Sequence, residues 1–226
     1  MTATPTEVFG TEDILLELCN SVRDVLSTAT QTQLRYSGMV QRITRTCLKP
    51  DIGCFVLFDG GFSGLVVLNF SAPAAMELYG RYLLSMGMNP SDLAASHTSD
   101  DVSNVLGELM NQMVGDFTRK VSQELQTHIT QNQPKMLVLN KQVILSVDAN
   151  LDQPEIRRVT FYTGQGNIFY LELAIDRTEF VKLCDTAEEP ALNPDELFAQ
   201  NRAAPPETNT TAAPDANEAL IRSLGI

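Results

Sequence analysis

The chain has 226 residues, and 43% of them are hydrophobic, so it is long enough for one domain with a sizeable core and an appendage. Its 28 acidic residues outnumber the 16 basic ones, and a net charge of -12 disfavours nucleic acid or an anionic membrane as partner. No apolar run approaches the ~18 residues of a membrane span, and residues 1–10 lack the basic start and apolar run of a secretory signal. We therefore expect a cytoplasmic protein without membrane insertion.

Cysteine and histidine residues do not follow the spacing of metal sites. Of the two histidines, His97 and His128, neither has a cysteine or a second histidine nearby, and no Walker loop, GxGxxG or HExxH occurs. Buried reduced thiols are the expected state of the four cysteines, Cys19, Cys47, Cys54 and Cys184. The sequence thus predicts no metal site and no cofactor bound by this chain.

Helices and strands follow one another in two groups. The predicted elements of the first group are a helix over 11–30, β-prone residues 34–47, strands over 53–58 and 64–69, and a helix over 71–86. The sequence DGGFSG between the two strands indicates an antiparallel hairpin. A connection over 87–99, with Asn89 before Pro90, ends this group.

The second group begins with a long helix over 100–125 and continues through the polar segment THITQNQP. The elements predicted after it are strand-like runs over 136–147, 157–163 and 167–175, and a short helix over 177–183. Because helices and strands are grouped rather than alternating, we expect an α+β fold with an antiparallel sheet covered by long helices. Two hairpins, each with a helix, give a weak indication of internal pseudo-symmetry.

The long helix combines an apolar stripe with a narrow polar arc. Helical spacing predicts that the stripe is core: Val102, Val105, Leu106, Leu109, Met110, Met113, Val114, Phe117 and Val121. Residues that project on the other side are Asn104, Glu108, Asn111, Gly115 and Thr118. Gly107 and Gly115 each cost about 1 kcal/mol against alanine, which indicates a closely approaching surface. The alternative is an ordinary solvated face whose glycines serve packing within the fold.

The composition changes at about residue 185. Residues 185–214 are rich in Ala, Pro, Glu, Asn and Thr, which is typical of a flexible linker after a domain over 11–184 and a leader over 1–10. At the end, 215–226, Leu220, Ile221 and Leu224 stand at helical spacing. Such a short segment does not hold a helix alone in water. A frayed terminus and a recognition helix that folds on a partner both remain open.

The spacing of polar residues in the long helix resembles a known signature. Asn104, Glu108, Asn111 and Pro134, separated by three, two and twenty-two residues, match that of the CheC/CheX/FliY phosphatases of bacterial chemotaxis. The string GELMNQMVGD is similar to the GEIxNxxxG core of that family's helix. Asn104 departs from the family's Asp or Ser, and the Glu/Asn arrangement is seen only once, as in CheX-like members. The resemblance covers about 11–183 and implies a CheC/CheX-like fold.

The resemblance implies hydrolysis of the aspartyl phosphate of a CheY-like response regulator, in chemotaxis or two-component signalling. Asn111 would orient the attacking water and Glu108 would pair with the regulator's lysine, while Gly107, Gly115 and Pro134 would support them. Mg²⁺ is expected in the partner receiver domain rather than in this chain. Because single-site relatives form dimers, a homodimer is expected. The alternative is a non-catalytic adaptor or motor-associated protein that binds a receiver.

The last residues, DANEALIRSLGI, resemble the CheY-docking helix at the end of CheZ, an unrelated phosphatase. The matching positions are Leu220, Ile221, Ser223, Leu224, Gly225 and Ile226. This similarity implies that Leu220, Ile221, Leu224 and Ile226 dock the same receiver. A tether of about thirty residues reaches roughly 30 Å, so docking would raise the receiver concentration at the long helix to about millimolar.

Overall fold

The structure, a computed structural model, describes residues 8–139 and 141–181. The predicted linker, the predicted docking peptide and Cys184 lie outside this part of the chain. The elements are, in order, β1 (Val8–Phe9), α1 (Thr11–Thr30), β2 (Arg35–Tyr36), β3 (Gln41–Arg42), β4 (Cys47–Leu48), β5 (Ile52–Gly60), β6 (Gly64–Phe70), α2 (Ala72–Ser85), a 3-10 turn (Pro90–Asp92), α3 (Asp100–Glu124), β7 (Ile129–Gln131), β8 (Lys135–Val138), β9 (Leu145–Ser146), β10 (Pro154–Tyr162), β11 (Ile168–Asp176) and β12 (Phe180–Val181).

The main sheet is antiparallel, with the strand order β2-β10-β11-β6-β5-β7; β3 also pairs with β10 and β8 with β5. Both predicted hairpins are confirmed, since Val56 lies opposite Val66 and Val159 opposite Leu171. The α+β architecture, an antiparallel sheet with long helices packed on it, is confirmed as well.

Helix boundaries follow the local signals in the sequence. Helix α1 spans the predicted residues, and Asp13 Oδ2 accepts a hydrogen bond from Gly10 N at 2.8 Å at its start. Ser71 caps α2 by accepting from Ala74 N, with a proline in the first turn. Ser99 caps α3 by accepting from Asp101 N. Each cap satisfies a backbone N–H group that the helix leaves without an internal partner.

Both faces of the central strand β6 are covered, so all seven of its residues are buried. Val66 and Leu68 face the helices in the main core, whereas Leu65 and Val67 pack in a smaller cluster on the other face. Glu172 lies opposite Val67 and is fully buried on that second face. Its carboxylate accepts from Arg158 Nη2 at 2.7 Å and from Cys47 N at 3.0 Å. The ion pair and the hydrogen bond offset the hydration free energy that the Glu172 carboxylate loses on burial.

Two predicted elements differ from the structure, and one strand was not predicted. The short helix predicted over 177–183 is wrong, because Phe180 and Val181 pair with Phe9 and Val8 in a two-stranded sheet. The run predicted over 136–147 divides into β8 and β9, and β9 pairs with β4 instead of the main sheet. The polar segment before Pro134 contributes β7, which was not predicted. All these strands have partners distant in sequence, which local periodicity does not report.

None of the helices in the described residues combines the length and the apolar character that crossing a membrane requires.

Candidate functional site

Helix α3 buries the predicted stripe and exposes most of the predicted polar arc. Of the stripe residues only Val105 is half-buried; the others are buried. The side chains of Asn104, Glu108 and Asn111 are exposed. Thr118, predicted on the arc, is only 7% exposed, because its hydroxyl turns back to donate to Gly115 O. The exposed arc therefore ends before the last two turns of the helix.

Glu108 is an exposed carboxylate on the middle turns of α3. Gln112 Nε2 donates to its Oε1 at 2.9 Å, one helical turn further on. This contact fixes the direction of the carboxylate without neutralising its charge. Glu108 can therefore attract a cation on a second molecule that approaches this face.

Asn111 is tied to the neighbouring strand by two hydrogen bonds from one side chain. Gln131 Nε2 donates to Asn111 Oδ1 at 2.9 Å and to Asn111 O at 3.3 Å. Gln131 is in β7 opposite Phe58, a residue of the main core, so its side chain is on the helix-facing side of the sheet. Sequence reasoning missed Gln131, since no local pattern placed β7 beside α3.

The two glycines of α3 lie beside this chain's own strands. A Cβ at Gly115 would lie 3.9 Å from Gln131 Nε2, and one at Gly107 would lie 3.6 Å from Met136 Cγ. Both distances are ordinary van der Waals contacts, so β7 and β8 are the neighbouring surface and an alanine would fit at either position. Pro134 is half-buried in the short connection between these two strands and sets their path along β5.

The contact between Gln131 and Asn111 contributes little net free energy to folding. Gln131 Oε1 is buried and has no hydrogen-bond partner among the described residues. A buried orphan acceptor costs about 1–3 kcal/mol, whereas a satisfied hydrogen bond contributes about 0.5–1.5 kcal/mol net. Folding stability therefore does not explain the choice of glutamine.

A second Glu/Asn arrangement is present on α1, so the expectation of a single one is wrong. Asp13, Glu17 and Asn20 repeat the spacing of Asn104, Glu108 and Asn111. The signal was in the sequence: the spacing is the same, and here the first position is the aspartate that α3 lacks. In the structure Asp13 is exposed but caps its helix, and Glu17 and Asn20 are half-buried.

The asparagine of α1 is held in the same way as the asparagine of α3. Tyr36 OH donates to Asn20 Oδ1 at 2.9 Å. Tyr36 is in β2, the strand after α1, and lies opposite the core residue Phe161, with the ring centroids 5.4 Å apart. In both halves of the fold, a donor from the strand that follows the helix thus reaches the side-chain oxygen of the asparagine.

The described part of the chain contains three free cysteines, of which Cys47 is half-buried and not buried as expected. The Cys19 and Cys54 thiols are buried, and this burial raises the pKa of Cys19 to about 12 and also raises the pKa of Cys54. Such thiols are protonated at neutral pH and unreactive. Within residues 8–139 and 141–181, no group of three His, Cys, Asp or Glu residues is placed to hold a metal ion. The predicted docking residues Leu220, Ile221, Leu224 and Ile226 lie outside these ranges.

Comparison of the sequence with known families gives one match. Residues 5–226 match a family described as a protein of unknown function (DUF3334). No curated protein matches the sequence.

Several solved structures have a similar fold, among them CheX and CheC-like proteins. CheX from Desulfovibrio desulfuricans has a TM-score of 0.59 at 18% identity, over 73% of this chain and 99% of that one. A CheC-like superfamily protein from Shewanella sp. PV-4 has a TM-score of 0.59 at 17% identity, over 73% of this chain and 97% of that one. The CheX-CheY-BeF3-Mg complex from Borrelia burgdorferi matches with a TM-score of 0.54 at 12% identity, over 73% of this chain and 99% of that one. At these identities the likeness shows the fold, which is CheC/CheX-like.

Proposed function

The chain belongs to the DUF3334 family, and from its CheC/CheX-like fold and the Glu/Asn pair of α3 we propose that it hydrolyses the aspartyl phosphate of a CheY-like response regulator in chemotaxis or two-component signalling. The observation that carries the proposal is the exposure of Glu108 and Asn111 together on one face of a rigid, well-buried helix. The presence of CheY in the Borrelia CheX complex supports a receiver as the partner.

The reaction needs little chemistry from this chain. Water attacks the phosphorus, the bond between phosphorus and the aspartyl oxygen breaks, and its electron pair leaves with the regenerated carboxylate as phosphate and a proton are released. Mg²⁺ and a lysine of the receiver would stabilise the transferred group. Asn111 would orient the water through its neutral amide, which can both donate and accept hydrogen bonds but does not act as a base.

Glu108 is proposed to anchor the receiver through a cation. We expect Glu108→Gln to raise KM about 10-fold, equivalent to ~1.4 kcal/mol, with a small change in kcat, because the substitution removes charge but keeps shape. Initial rates of phosphate release over a range of receiver concentrations measure both constants. Glu124→Gln, at an exposed carboxylate near the end of the same helix, is the control and should leave KM unchanged. Equal KM values for Glu108→Gln and wild type would contradict the anchoring role.

The competing function is a non-catalytic adaptor or motor-associated protein, and Asn104 is the observation that favours it, since the first position of the signature departs from Asp or Ser. The two functions separate in one experiment. A purified CheY-like receiver is phosphorylated with acetyl phosphate, and phosphate release is followed with and without the full chain. The phosphatase accelerates release at substoichiometric concentration. An adaptor binds the phosphorylated receiver and leaves release at its spontaneous rate.

The tail over 215–226 is proposed to dock the same receiver. Deleting it should raise KM about 10-fold or more and leave kcat unchanged, because the loss is one of local concentration and not of chemistry. Steady-state phosphate release by the truncated and full-length chains measures this effect. A full-length variant with Leu220, Ile221 and Leu224 replaced by serine should behave like the deletion. An unchanged KM in both variants would refute docking.

A further inference from the structure

We propose that Gln131 is a positioning residue for Asn111: its amide nitrogen holds Asn111 Oδ1 so that Asn111 meets a receiver in a single orientation. This inference rests on the function proposed above, since it concerns the amide that would orient the water. Gln131 itself does not need to touch the receiver or the reacting atoms.

The two hydrogen bonds fix which atom of each amide faces the other. Asn111 O, a backbone carbonyl oxygen, only accepts hydrogen bonds, so the Gln131 atom 3.3 Å from it must be the donor Nε2. The second hydrogen of the same NH₂ group then requires an acceptor on the Asn111 side chain, which is Oδ1 at 2.9 Å. The NH₂ group of Asn111 consequently points away from β7, and Oδ1 keeps one lone pair for a further donor.

An exposed asparagine without such a partner samples several orientations. Its terminal torsion is broad and roughly two-fold, so the oxygen and the nitrogen exchange places easily. A water held by an amide is in line with phosphorus in only a fraction of these orientations. By selecting one orientation before the receiver arrives, Gln131 would raise the fraction of productive encounters without changing affinity.

The energetic cost of the arrangement favours positioning over stability as its role. Gln131 Oε1 is buried without a hydrogen-bond partner among the described residues. A methionine at this position would fill similar space without burying an orphan acceptor. Residues that serve packing alone are not expected to carry such a cost.

The other half of the fold contains a similar contact. Asn20 receives its hydrogen bond from the phenol of Tyr36, and Tyr36 and Gln131 have little in common except a donor group and their position. Each lies opposite a core phenylalanine on the strand after its helix. Two unlike side chains thus deliver a donor to the same atom of the two asparagines.

The test compares Gln131→Met, Gln131→Glu and wild type in the full chain, by phosphate release from an acetyl-phosphate-treated CheY-like receiver. We expect Gln131→Met to lower kcat about 10-fold with KM within about twofold, and to leave the melting temperature unchanged or higher. Gln131→Glu should lower kcat further, because a carboxylate only accepts and would turn the Asn111 amide around. Thr130→Val, an exposed position beside Gln131 in the same strand, is the control.

A kcat of Gln131→Met equal to wild type would overturn the inference while leaving the phosphatase intact. A fall in both kcat and melting temperature would assign Gln131 a structural role instead and would also overturn it. If wild type itself does not accelerate phosphate release, the proposed function fails. The hydrogen bond between Gln131 and Asn111 is then tested separately by NMR. The Asn111 side-chain amide signals, identified by their loss in Asn111→Ala, should shift strongly in Gln131→Glu, and unchanged signals would rule out the hydrogen bond.

Discussion

Replacing Asn111 with alanine is expected to lower kcat for phosphate release from a phosphorylated CheY-like receiver about 100-fold or more, equivalent to ~2.7 kcal/mol of activation free energy. The reason is that the alanine variant keeps the helix and its buried stripe but leaves nothing to hold the water in line with phosphorus. Asn111 is exposed, so its removal creates no cavity, and alanine suits a helix interior. KM is expected to change little, because Glu108 and the rest of the receiver-facing surface are retained.

Single-turnover phosphate release with the full chain in excess measures this effect without contributions from product release. Gln123→Ala, an exposed amide further along the same helix, should match wild type and controls for general effects of removing an amide from α3. Circular dichroism establishes that both variants are folded. A wild-type rate for Asn111→Ala would exclude Asn111 as the water-orienting group.

Because α1 carries a second Glu/Asn arrangement, the fall in kcat of Asn111→Ala shows whether one helix or both contribute to the activity. If only α3 acts, Asn20→Ala should match wild type, and the double variant should match Asn111→Ala. If both helices act, each single variant retains part of the activity and the double variant falls to the spontaneous rate. Because Asn20 is half-buried and Asn111 exposed, we expect the first result. A larger loss in Asn20→Ala than in Asn111→Ala would transfer the proposed site to α1.

Phe117→Ala should reduce the free energy of unfolding by about 3–5 kcal/mol. Phe117 is fully buried in the α3 stripe, one turn before Val121, and its ring meets Phe58 of β5 edge to face, with centroids 5.6 Å apart. Phe58 in turn contacts Phe62 at 5.4 Å, and Phe62 contacts Phe180 of β12 at 5.7 Å. The substitution therefore opens a cavity at one end of a chain of aromatic contacts that joins the helix to two sheets.

Urea unfolding followed by circular dichroism measures the loss, and the melting temperature should fall by roughly 2–4 °C for each kcal/mol. Phe117→Leu, which retains much of the volume, should lose markedly less. Met39→Ala, at a side chain that is 80% exposed, should stay within about 0.5 kcal/mol of wild type. A loss below about 1 kcal/mol for Phe117→Ala would contradict the packing of α3 described above.

Features governed by neighbouring residues could be predicted from the sequence. The first turns of α1, α2 and α3 carry capping residues, and a period of 3.6 marks their buried sides, so their positions agree with the prediction almost to the residue. The two hairpins are encoded by turn residues between strands. In contrast, β7 and β12 are short, and their partners Phe58 and Phe9 lie far away along the chain. No local periodicity identifies such strands.

The candidate site shows the same division between local and long-range information. The exposure of Glu108 and Asn111 followed from helical spacing, whereas their relation to Gln131 depends on how β7 crosses α3. Thr118 was misplaced because helical periodicity alone does not show that its hydroxyl turns back to Gly115 O. The glycines were interpreted as positions of close approach, but a Cβ at either one would make only an ordinary van der Waals contact with Gln131 or Met136.

The pairing of strands also makes the two halves of this domain, 8–86 and 100–181, interdependent. Of the nine strand pairings among the described residues, only β5 with β6 and β10 with β11 stay within one half; the other seven join the halves. An isolated half would expose strand edges on both sides of its hairpin, which favours self-association. It could complete its sheet only by exchanging strands with a second copy. The donor that holds Asn111 comes from a strand that pairs with β5 of the opposite half, so the second half alone would lose the partner strand that places Gln131.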